Sequence, residues 1–112
     1  MLQFSRIDRC QKIYDCNMPR GDTGEIVLEF EDYEPQDGDK IVFRMAKDLN
    51  ADEADLEKNV EAFDGNVAII RFLTSDTADF QPGIYYYVCR LFKADGSIDT
   101  FIEKSIFEVE VS

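Results

Sequence analysis

Three consecutive tyrosines, Tyr85, Tyr86 and Tyr87, are the side chains in this sequence best suited to recognition, each a rigid ring with a polar tip. In an extended strand, neighbours point to opposite faces. Tyr85, Tyr87, Cys89 and Leu91 therefore share one face, and Ile84, Tyr86, Val88, Arg90 and Phe92 share the other. The first set reads as core, with Tyr85 and Tyr87 as core tyrosines and the Tyr85 hydroxyl reaching back to the loop before the strand, as in a tyrosine corner. The second is too apolar for a freely solvated sheet face, so Ile84, Tyr86, Val88 and Phe92 form a candidate interface. Three roles compete for it: a surface covered by the N-terminal arm, a protein–protein contact, or an aromatic platform that stacks sugars.

Other chemistry is sparse. Histidine is absent, which removes the commonest general base and metal ligand. No nucleophile elbow, P-loop or dinucleotide-binding glycine motif occurs, and Ser and Cys have no His to activate them. The chain is therefore read as not an enzyme, with no cofactor and no required metal. Asp48, Asn50 and Asp52 have the spacing that begins a calcium loop. Glu53 then stands where glycine makes the sharp turn and Asn59 where a bidentate Glu closes the shell, so a solvated acidic loop is the reading. Arg20-Gly21-Asp22 spells an adhesion tripeptide, but Gly21 at positive φ, with Asp22 and Thr23 bonding the turn, accounts for it structurally. Cys10, Cys16 and Cys89 make an odd count without CxxC spacing, which argues for reduced thiols.

The elements that position the tyrosines must come from one domain, since 112 residues fit one and not two. Nine Phe and five Tyr let a few large rings fill its core. Asp and Glu number 24 against 12 Lys and Arg, a net charge of −12 that repels nucleic-acid phosphates and anionic lipid. Apolar runs fall far short of a membrane span. Arg6, Arg9, Lys12 and Asp15 interrupt the region where a signal peptide would be apolar, so a cytoplasmic origin is expected.

The dominant hydrophobic period is two. Alternating runs occupy 25–31, 40–47, 66–73, 83–92 and 101–111. Shorter strands are expected over 12–18 and 56–63, and 1–9 could add an eighth edge strand or an arm. Turn residues fill the gaps: Arg20 to Gly24, Glu34 to Asp39, Gln81-Pro82-Gly83, and Lys93 to Ser97 as a hairpin. Asp64-Gly65-Asn66 is also a hairpin signal. Only 74–80, and 52–57 less clearly, suit a helical turn. The fold class is therefore all-β, an immunoglobulin-like antiparallel β-sandwich of seven to eight strands, with residues 1–11 as arm or edge strand and 12–112 as the domain.

The order of motifs resembles the immunoglobulin-like domain at the N-terminus of phage baseplate upper proteins and small prophage tail proteins of Gram-positive bacteria. The resembling segments are Met18 to Thr23 before a strand, Asp39 to Met45, Leu73 to Thr77 leading into Gln81 to Tyr87, and Lys104 to Val109 at the close. The resemblance spans about residues 12 to 111. It implies a structural adaptor in a virion or tail-derived particle, assembled from the cytoplasm. Its partners would be other tail or baseplate proteins or itself as a homo-oligomer, with no nucleic acid and no membrane. A carbohydrate-binding sandwich module is the alternative.

Overall fold

The computed structural model describes residues 15–30 and 33–111, and the expected arm over 1–11 lies outside them. Seven strands and one helical turn follow in order: β1 (Cys16–Pro19), β2 (Gly24–Glu29), β3 (Lys40–Ala46), β4 (Leu56–Val60), β5 (Val67–Phe72), α1 (Thr74–Thr77), β6 (Gly83–Phe92) and β7 (Ile98–Glu110). They form two sheets. One has five strands in the order β1-β7-β6-β3-β4, the other pairs β2 with β5. The all-β sandwich expected from the alternating runs is the architecture found.

The core is where the period-two faces meet. Ile26, Leu28 and Phe30 from β2 and its end, and Ala68, Ile70 and Phe72 from β5, are buried against Ile41, Phe43, Met45, Tyr87, Leu91, Ile102 and Phe107 of the larger sheet. Phe43 stacks on Tyr87 at 5.2 Å between ring centroids. Phe72 of the small sheet meets Phe43 edge-on at 5.3 Å and lies 5.6 Å from Phe107. A second bridge between the sheets runs from Phe30 to Phe101 at 5.4 Å. Each such side chain contributes roughly 1.5–3 kcal/mol on burial, which lets so small a two-stranded sheet hold its place.

Three details depart from the sequence expectation. The pair β1–β7 is parallel, with Cys16 opposite Phe107 and Pro19 opposite Glu110, although the other pairs are antiparallel. No local crossover is needed, because almost the whole domain intervenes between these two strands. Asp64-Gly65-Asn66 makes its tight turn, with Gly65 at φ 59° and an Asp64–Val67 bridge, but the turn carries the chain between sheets. β4 pairs with β3 and β5 with β2, so no β4–β5 hairpin forms. Hydrophobic period decides which face a residue takes and is silent about which strand lies beside it. Finally, Cys16 is disulfide-bonded, so the reduced reading fails there. Cys89 is a free, fully buried thiol whose pKa is pushed up by that burial.

Candidate interaction face

The middle strand of the larger sheet is β6, and its outward residues alternate with the buried ones. Tyr85 is 3% and Tyr87 0% exposed. The Tyr85 hydroxyl donates to the carbonyl of Gln81 at 2.9 Å, in the loop before the strand. The Tyr87 hydroxyl lies 3.5 Å from Cys16 Sγ. On the opposite face, Ile84 is open, Tyr86 and Phe92 are half-buried and Val88 is 8% exposed.

Cross-strand register extends this face in both directions. Tyr86 stands between Ala46 of β3 and Ile106 of β7, and Ile84 lies opposite Glu108. Ile84 and Ile106, at 44% and 38% exposed, flank Tyr86 as an apolar corner. At the far end Phe92 stands between Lys40 and exposed Ile98. Ile106 and Ile98 were not among the residues expected here. The run 101–111 alternates cleanly only at its end, and a register irregularity opposite Tyr87 and Cys89 decides which β7 residues join the tyrosine face.

The two outward rings are not bare. Lys104 Nζ sits 4.4 Å from the centroid of the Tyr86 ring, and Lys40 Nζ sits 5.6 Å from that of Phe92. Arg90 Nε donates to Thr100 Oγ1 at 3.2 Å. Arg44, beside Val88, donates to the carbonyls of Leu49 and Ala51, which folds the 47–55 loop back toward this face. A sugar stacking on the covered side of Tyr86 or Phe92 would have to displace a lysine, at a cost of about 0.5–1 kcal/mol for an exposed pair.

The remaining motifs serve the backbone. The Gly21 N–H donates to Thr77 Oγ1 at 2.9 Å and the Asp22 N–H to the Pro19 carbonyl, with Gly21 at φ 79°. The side chain that ties this turn is thus buried Thr77 of α1. Asp48 Oδ1 accepts from the Asn50 N–H, and Asp55 Oδ2 from the Lys47 N–H, so both carboxylates cap their own loop. Among the described residues no three Asp, Glu, Cys or His side chains converge on a metal-sized site.

Sequence reading passed over one polar centre. Asp39 is 3% exposed and accepts from the Tyr33 hydroxyl at 2.5 Å, from Gln36 N–H at 2.8 Å and from Ala94 N–H at 2.9 Å. Gly38, at φ 91°, lets the loop approach closely, since a Cβ there would lie 3.0 Å from the Ala94 side chain. Burial alone would push the Asp39 carboxyl up. The bonds from Gln36, Tyr33 and Ala94, with Lys93 nearby, more than offset it and leave the pKa below the ordinary carboxylate value. The bond to Asp39, then burial, then the charges of Asp39, Asp95 and Asp99 raise Tyr33 to about 12. Nothing in a Tyr, five residues and an Asp marks such a latch, because its third partner, Ala94, comes from the turn beyond the end of β6.

No protein-family model matches the sequence, and no curated protein does. Among solved structures the fold is similar to the crystal structure of CopC from Methylosinus trichosporium OB3b. The TM-score is 0.57 at 13% identity, over 99% of this chain and 95% of that one, which is a likeness of fold alone.

Proposed function

We propose that this chain is a non-catalytic structural module, a component of a phage or prophage tail, that docks another tail protein through the outer face of its larger sheet. The observation that carries the docking is the apolar corner of Ile84, Tyr86 and Ile106 on the central strand pair, ringed by charged side chains. That is the anatomy of a contact, with an aliphatic and aromatic centre inside a polar rim. The tail context rests on the resemblance of motifs between Met18 and Val109 to baseplate upper proteins. The disulfide at Cys16 suits a product that finishes in a particle outside the reducing cytosol, rather than one that stays within it.

The test is co-expression of the tagged chain with the proteins encoded beside it. At least one should co-purify in fixed ratio. The double variant Ile84→Glu, Ile106→Glu should lose it while keeping the wild-type melting temperature, since both side chains are already exposed. If no neighbouring protein co-purifies, or the double variant retains it undiminished, the docking reading fails.

A further inference from the structure

The chain enters the described domain at the apolar corner itself. Asp15 Oδ1 accepts the Ile106 N–H at 3.3 Å, and β1 begins only at Cys16, opposite Phe107. At Ile106 a carboxylate thus takes the place of a backbone carbonyl in the β1–β7 ladder, and a side chain that does so ends the pairing. Pairing stops beside Ile106, which with Tyr86 and Ile84 makes up the corner. Residues 1–14 are joined to the domain at that point. Extended, they span up to roughly 46 Å, so reach does not limit them. A segment tethered so close to a site is present there at millimolar effective concentration, where even a weak contact is well filled.

The chemistry of the two surfaces matches. Residues 1–14 include Leu2, Phe4 and Ile7, and they carry Arg6, Arg9 and Lys12 against the single acid Asp8. The chain as a whole has 24 acidic residues to 12 basic. Beside the corner, Glu103, Glu108 and Glu110 of β7 and Asp15 stand against Lys104. A basic segment with large apolar side chains therefore suits both the acidic rim and the apolar centre. We infer that residues 1–14 cover this corner in the free chain and that a docked partner displaces them. The displacement rests on the reading that this face docks a protein, whereas the cover does not. Segment and partner compete for Ile84, Tyr86 and Ile106. The partner's apparent affinity is lowered by the fraction of chains whose corner is open.

The experiment uses the full chain. Irradiation with p-benzoylphenylalanine in place of Tyr86 should join that position to a residue among 1–14 of the same molecule, mapped by proteolysis and mass spectrometry. No adduct to 1–14, or adducts only between molecules, would overturn the inference. The full-length variant Leu2→Glu, Phe4→Glu, Ile7→Glu gives an independent readout. Hydroxyl-radical oxidation of Tyr86 and Ile106 should rise severalfold in it, while fully buried Tyr87 stays protected. Unchanged oxidation of Tyr86 and Ile106 would likewise sink the cover. The same variant should bind the co-purifying neighbour about tenfold more tightly than wild type. Equal binding would remove the displacement and leave the docking reading standing. A covered corner on a chain that binds no neighbour would end the docking reading and leave the cover in place.

Discussion

The two faces of β6 carry almost the same kinds of side chain and have opposite surroundings. Inward, Tyr85, Tyr87, Cys89 and Leu91 are all at most 3% exposed, and Tyr87 is enclosed by Phe43, Phe107 and Cys16. Outward, Tyr86 and Phe92 keep one side to solvent and carry an ammonium group over the ring. A ring becomes structural or available according to what the neighbouring strands place over it. The inner face is fixed by packing that no substitution can replace without a cavity. The outer face is dressed by flexible cations that a partner can rearrange.

The largest expected effect tests that contrast directly. Tyr87→Ala should destabilise the domain by about 3–5 kcal/mol, through lost transfer free energy and an unfilled cavity. Tyr86→Ala, one residue away, should cost about 1 kcal/mol, mostly its contact with Lys104. Chemical denaturation of both variants checks the pair, and comparable losses would mean that the outer face is part of the folding core.

A smaller effect concerns the loops that hold the Lys40 end of the face. Asp39→Ala should cost about 2 kcal/mol, because it strands the Gln36 and Ala94 N–H groups and the Tyr33 hydroxyl. The same latch makes stability depend on pH with a definite sign. The Asp39 pKa is lowered on folding, so its contribution is present above the ordinary carboxylate range and lost as pH falls through the folded value. Tyr33 is raised from 10.0 to about 12, so its contribution is present below 10.0 and fades as pH climbs toward 12. Denaturation across pH should show losses at both ends. Asp39→Ala should flatten both, and Tyr33→Phe the alkaline one. An alkaline loss that survives in Tyr33→Phe would assign it elsewhere.

The smallest effect lies at the base of the tyrosine strand. Tyr85→Phe removes one hydrogen bond, to the Gln81 carbonyl, and should cost about 1 kcal/mol. The ring stays stacked on Phe80 at 5.1 Å. A cost near that of Tyr87→Ala would show that the loop before β6 depends on the hydroxyl far more than a single bond allows.

By itself the sequence determined the all-β class, the strands as alternating runs, and the two faces of β6, because side-chain direction in a strand depends only on the parity of position. The Tyr85 hydroxyl bond was legible too, since it spans only four residues. What only the tertiary structure decided depends on pairing between distant segments. It placed β1 parallel to β7, and it sent β4 and β5 to different sheets despite the turn between them. It bonded Cys16 and brought Asp39 to Ala94. It also set Lys104 over Tyr86 and Ile106 beside it, through a β7 register that local pattern does not encode. Parity is a property of one strand, whereas register and strand order come from the free energy of the whole core. The tyrosine face could therefore be read in advance, and the cations and isoleucines that give it character could not.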